Sequence, residues 1–143
     1  MGIFGHSMGG HGALTLGLKH PDLFTSISAL APICHPGACP WGKKAFSGYL
    51  ASTEEWASYD AVELVKALKS NRQQKMNILI DQGTEDQFYK QHQLLPEDLV
   101  DAANSNGEAQ IEVQLRKQEG YDHSYYFIST FIEDHLSFHA RIQ

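Results

Sequence analysis

Gly5-His6-Ser7-Met8-Gly9-Gly10-His11-Gly12 is the stretch on which the reading of this chain turns. A short apolar run, Met1–Phe4, leads into it, and a helix-like stretch, Ala13–His20, leaves it. Gly-x-Ser-x-Gly between a strand and a helix places a serine on a sharp, strained turn with its hydroxyl lifted clear of the sheet. Glycines flank such a serine because a Cβ there would collide with neighbouring backbone. The helix N-terminus behind the serine favours negative charge. Glycine and serine each make up about 7% of residues, so chance alone produces the bare pattern in about one chain of this length in twenty. The strand before and the helix after turn the match into a candidate nucleophile, Ser7. The competing reading is a glycine-rich turn with an ordinary serine.

Outward from the motif, the pattern alternates strands and helices. Met1–Phe4 reads as a strand and Met8–Lys19 as a helix that stops before Pro21. Ser26–Ala31 reads as a buried strand. Pro32–Ser52, rich in proline and glycine with Trp41, Phe46 and Tyr49 interleaved, reads as an ordered binding loop. Ser58 or Asp60 can cap a helix running through Leu68. Met76–Asp81 is a strand, Tyr89–Asn104 a helical stretch open to interruption at Pro96, and Ile111–Arg116 an alternating, exposed or edge strand. A turn at Gly120–His123 precedes a final helix, Ser124–Ala140. This order predicts a single α/β domain over residues 1–143, a mostly parallel sheet with helices on both faces.

At 143 residues, 42% hydrophobic and 20% charged, the chain has the composition of a globular domain. Its net charge of −6 argues against nucleic acid and against anionic membrane surfaces. No run approaches the ~20 apolar residues of a membrane span, and the N-terminus carries no signal-peptide pattern. Two cysteines, Cys34 and Cys39, make no disulfide framework. A cytoplasmic location is expected.

A serine nucleophile needs a base to take its proton and an acid to orient that base. With the serine on a strand-to-helix turn, these follow in the chain order Ser, Asp or Glu, His, past the C-terminal ends of strands. Asp86, after the Met76–Asp81 strand, and His123, after the Ile111–Arg116 strand, fill those places. Alone, Asp86 reads equally as a helix cap and His123 as one surface histidine among eight. Glu85 and Asp81 compete for the acid role, Asp81 as a residue that orders the loop. Met8, the residue after the serine, is expected to offer its backbone N–H to an oxyanion.

Other patterns are weaker. Gly37–Lys43 imitates a phosphate loop, but Lys44 replaces the required Ser or Thr and Pro40 sits in the cradle. His135 and His139 share a helix face without the Glu of a zinc-protease motif, which makes them surface or interface histidines. The cysteines lack partners for structural zinc, and Cys34 reads as a buried thiol rather than a pocket residue. No metal or cofactor is expected.

Four blocks then resemble one family: Gly5–Leu14, Cys39-Pro40-Trp41-Gly42 with Lys44-Ala45-Phe46, Ile80–Gly83 with Asp86-Gln87-Phe88, and Gly120-Tyr121-Asp122-His123-Ser124-Tyr125-Tyr126-Phe127. They look like the S-formylglutathione hydrolase (esterase D) family of α/β-hydrolases, over nearly the whole chain. The resemblance implies a cytoplasmic, metal-free, homodimeric serine thioesterase that releases glutathione and formate and also cleaves simple carboxylic esters. Ser7, Asp86 and His123 fall on the family's nucleophile, acid and base, and the composition of the loop around Trp41 leads to the expectation that it helps shape a small acyl pocket. It also implies that this chain corresponds to the C-terminal half of the fold. The first strands and the upstream oxyanion loop would then be missing. A catalytically impaired fragment that binds full-length subunits is the alternative, and an antigen-85-type acyltransferase a third reading.

Overall fold

A computed structural model of the chain describes residues 1–69 and 74–142. Four strands form one sheet in sequence order: β1 (Gly2–His6), β2 (Ser26–Leu30), β3 (Met76–Gly83) and β4 (Ile111–Gln118). All neighbours are parallel, with Ile3 opposite Ile27, Ile27 opposite Ile78, and Ile78 opposite Val113. The connections carry α1 (Met8–Lys19), α2 (Pro40–Tyr49), α3 (Thr53–Trp56), α4 (Ala61–Ala67), α5 (Gln87–Lys90) and α6 (Pro96–Ser105), and α7 (Tyr125–Ile142) follows β4. The expected α/β architecture is present.

Side-chain alternation along the strands sorts the two faces. Ile27, Ala29, Ile78 and Ile80 pack with Leu14 and Leu18 of α1, Val62 and Val65 of α4, and Leu99 of α6. The alternate residues of β2, Ser26 and Ser28, meet α7 on the other face. β2 is buried throughout, as a central parallel strand must be, whereas β4 alternates exposed and covered positions as an edge strand does.

Two prolines that looked like breakers start helices instead. Pro40 and Pro96 occupy the first turns of α2 and α6, where the missing N–H costs nothing. The expected loop Pro32–Ser52 is therefore largely ordered secondary structure, a short 3-10 turn at Pro36–Ala38 followed by α2. The expected helix Tyr89–Asn104 is two helices, α5 and α6, with Leu95 left-handed (φ 53°) between them. Asp60, not Ser58, caps α4: its Oδ1 accepts from the Val62 and Glu63 amides at 3.0 and 3.2 Å.

Candidate active site

Ser7 occupies the single residue between β1 and α1, with φ 54° and ψ −116°. A non-glycine residue held at positive φ costs about 1–3 kcal/mol and persists only where its surroundings over-determine it. Here they do. The Ser7 amide donates to Leu30 O at 3.0 Å, and its carbonyl accepts from the amides of His11 (3.0 Å) and Ile33 (3.3 Å). A Cβ on Gly5 would lie 2.2 Å from Gly9 O, and one on Gly10 would lie 2.9 Å from the Pro32 Cβ. Gly9 is different: a Cβ there meets nothing within 4 Å. Close approach therefore explains Gly5 and Gly10 and corrects the expectation for Gly9.

Asp86 and His123 come together because two turns are laced to each other. The Thr84 amide donates to Gln118 O (3.1 Å), the Glu85 amide to Tyr121 O (2.9 Å), and the Gly120 amide to Thr84 Oγ1 (3.0 Å). Gly83 permits the approach, since a Cβ there would lie 2.2 Å from Tyr121 O. His123 Nδ1 then sits 2.6 Å from Asp86 Oδ2. The two readings of Asp86 coexist on one carboxylate. Oδ1 caps α5 through the Phe88 and Tyr89 amides (2.8 and 3.2 Å), while Oδ2 faces His123 and accepts from Gln82 Nε2 at 3.2 Å. Burial alone would raise the Asp86 carboxyl, but the hydrogen bond and charge of His123 outweigh it. With help from the Tyr89 amide and Gln82, they hold it below the ordinary carboxylate value.

The His123 side chain is 16% exposed. The His6 ring lies 4.5 Å from it and the Phe88 ring meets it edge-on at 4.8 Å. Phe88 also lines, with Ser7, Met8, Trp41 and Leu94, a mainly apolar cavity of about 260 Å³. Phe88 thus touches both the His123 ring and the cavity that Ser7 lines. Trp41 stands at the start of α2, its ring 44% exposed and its amide donating to Gln93 Oε1 at 2.9 Å. Met8, 60% exposed, is the first residue of α1, whose leading amides have no acceptor within the helix.

The rival acids separate cleanly. Glu85 is exposed and ion-paired to Lys90. Asp81 is fully buried inside β3, where Arg116 Nε and Nη2 grip it at 2.7 and 2.6 Å, with Gln118 Nε2 at 2.9 Å and His135 Nε2 at 2.7 Å. Burial would raise its carboxyl; those partners bring it below the ordinary value. His135 and His139 are consequently not surface histidines. His135 is fully buried on Asp81, and His139 bridges Ser26 Oγ (2.7 Å) and Ser28 Oγ (2.9 Å), so this pair pins α7 to the sheet. Cys34 is buried away from the cavity, its thiol pushed well up by burial and by the nearby carboxylates of Glu97, Asp60 and Asp98. In the phosphate-loop mimic, the Gly37 amide already donates to Asp60 Oδ2 at 2.8 Å, so a carboxylate holds the place a phosphate would need.

His6, Gln82, Phe88 and Gln93 escaped the sequence reading. His6 alone had a local signal, its place beside the serine; the others reach the site through turns whose course no spacing reveals.

Among the described residues, no group of three or more His, Cys, Asp or Glu is arranged to hold a metal ion, and no helix is long and apolar enough to cross a membrane. The profile of the family described as putative esterase matches residues 1–138. The S-formylglutathione hydrolase of Mus musculus is 56% identical over 142 residues, and that of Bos taurus 53% over 142. Each alignment takes in 99% of this chain and 48% of the relative, so the chain spans about half the length of the curated relatives it matches. The solved S-formylglutathione hydrolase of Agrobacterium tumefaciens superposes with a TM-score of 0.87 at 45% identity, over 99% of this chain and 48% of that one. This chain, with its serine turn and its hydrogen-bonded Asp–His pair, belongs to the putative esterase family.

Proposed function

We propose that this chain carries the catalytic machinery of a serine thioesterase acting on S-formylglutathione, with Ser7 as nucleophile, His123 as base and Asp86 as acid. The observation that carries the reading is the 2.6 Å contact between His123 Nδ1 and the buried Asp86 carboxylate, next to Phe88, which lines the same cavity as Ser7. The carboxylate fixes Nδ1–H as donor, which leaves Nε2 free to accept a proton.

The reaction is an acyl transfer in two stages. Ser7 Oγ gives its proton to His123 Nε2 and attacks the thioester carbonyl carbon. The oxyanion that forms faces the Met8 amide at the positive end of α1. Collapse breaks the C–S bond, and His123 returns the proton to the departing thiolate as glutathione leaves. Water, deprotonated by the same imidazole, then attacks the formyl ester, releases formate and restores Ser7. Asp86 stays ionised and stabilises the imidazolium at both stages. Trp41 and Phe88 wall the acyl side of a small apolar cavity, which fits a small acyl group and extends the reading to simple carboxylic esters. Cytoplasmic formaldehyde removal and a homodimeric assembly complete the proposal. Hydrolysis of S-formylglutathione, followed in parallel for the chain and Ser7→Ala, tests it; equal rates would sink it.

A second reading rests on β1. Among the described residues its outer side has no strand partner, and Phe4 within it is 46% exposed. Such an edge is a template for pairing with another chain, and a chain that works by binding full-length subunits would use it. Co-purification with the full-length enzyme and no turnover alone would favour this reading. Solitary, cooperative folding with turnover would remove it.

A further inference from the structure

His6 is a ring in contact with the His123 imidazole that takes no part in the proton relay. It ends β1, one residue before Ser7, so its position is fixed by the same hydrogen bonds that hold the serine turn. Its ring centroid lies 4.5 Å from that of His123, with the planes inclined at 40°. On the other side Phe88 presents an edge at 4.8 Å. His123 therefore stands in a slot between two rings, with Asp86 at its end. A second observation concerns polarity. His6 Nε2 is buried with no hydrogen-bond partner among the described residues, an arrangement tolerable for a neutral nitrogen and costly for a protonated one.

We propose that His6 is a positioning residue for the reaction. Its uncharged ring holds the His123 imidazole against Asp86 and offers a π face to the imidazolium formed in turnover. This rests on the assignment of Ser7, His123 and Asp86 given above. An aromatic face next to a cation is attractive; a second cation in the same place is repulsive. The titratable groups acting on His6 are His123, from the β4–α7 turn, and Asp86, from the β3–α5 turn. Burial and His123 lower its basicity more than Asp86 raises it, so it stays neutral where the relay operates.

The test compares the chain with His6→Ala, His6→Phe and Ser7→Ala, using S-formylglutathione as substrate. A small displacement of a catalytic group costs up to about a hundredfold. His6→Ala is expected to lower kcat by about tenfold or more with KM near the wild-type value. His6→Phe keeps a flat uncharged ring and recovers most of kcat. A readout independent of turnover is the downfield proton resonance of the His123 Nδ1–H bonded to Asp86, kept in His6→Phe and broadened or lost in His6→Ala. If His6→Ala fails to fold, His6→Leu, which fills the space without a ring, takes its place with the same expected loss. An inactive Ser7→Ala beside His6 variants with wild-type kcat and proton signal would overturn the role of His6 and leave the site assignment standing. A Ser7→Ala as active as the wild type would remove both.

Discussion

Ser7 is held by its backbone and Asp86 by hydrogen bonds to both carboxylate oxygens, and that separates their folding roles from the catalytic ones proposed for them. In Asp86→Asn the amide oxygen still accepts from Phe88 and Tyr89, so α5 keeps its cap. The side chain can no longer fix the His123 tautomer with a full charge. The expected result is a melting temperature close to wild type with kcat reduced about 10⁴-fold, measured by calorimetry and thioester hydrolysis on one preparation. His11, four residues past the serine, supplies a pH dependence of stability. Burial lowers it to about 4 from 6.5, against a small opposing contribution from the Tyr59 backbone, and its Nε2 is buried without a partner among the described residues. The unfolded chain takes up the proton first as pH falls. Stability is thus intact above about 6.5, erodes as the pH drops and is lost by about 4, worth at most about 3 kcal/mol. Urea titrations at pH 7 and pH 4.5 should show a smaller loss for His11→Phe than for the wild type. Among single residues the Ser7 turn and the Asp86–His123 pair were legible, because chain order and strand ends constrain them. His135 and His139 were not, since i, i+4 spacing names a helix face without saying whether it meets water or the Asp81 and Ser26–Ser28 side of the sheet.

Among the elements, the turn from β1 into α1 sets two glycines of one motif against each other. Gly5→Ala forces a Cβ to within 2.2 Å of the Gly9 carbonyl and should cost about 2 kcal/mol or more, whereas Gly9→Ala puts a methyl into open space in a helix and should be neutral or stabilising by up to about 1 kcal/mol. Denaturant midpoints of the two variants check this directly. Asp60 serves two elements at once, capping α4 through Oδ1 and tethering the turn before α2 through the Gly37 amide on Oδ2. Asp60→Ala strips both and should cost about 2–4 kcal/mol in the same assay. The helices begun by Pro40 and Pro96 were hidden in the sequence for one shared reason. Proline marks the first turn of a helix as readily as a break, and only the packing of the residues after it distinguishes the two: Phe46 of α2 is buried, as are Leu99, Ala102 and Ala103 of α6.

For the molecule as a whole, four parallel strands in sequence order bring the ends of β1, β3 and β4 to one side, where Ser7, Asp86 and His123 stand. That convergence is the general property of open α/β sheets, and it is why strand–helix alternation foretold that Ser7, Asp86 and His123 would stand at one end of the sheet. The contents of the rim were less accessible. Phe88, Gln93 and the ring of His6 arrive from α5, the loop after it and the end of β1, and their meeting depends on three-dimensional course rather than order. The proposed chemistry stands or falls with Ser7 carrying the acyl group between two half-reactions. Mass spectrometry of the chain, quenched during turnover of a slow thioester, reads that acyl group itself. One added acyl group is expected on the peptide that contains Ser7, absent in Ser7→Ala and persisting longer in His123→Ala once formed. An unmodified Ser7 during measurable turnover, or an acyl group on another residue, would refute it.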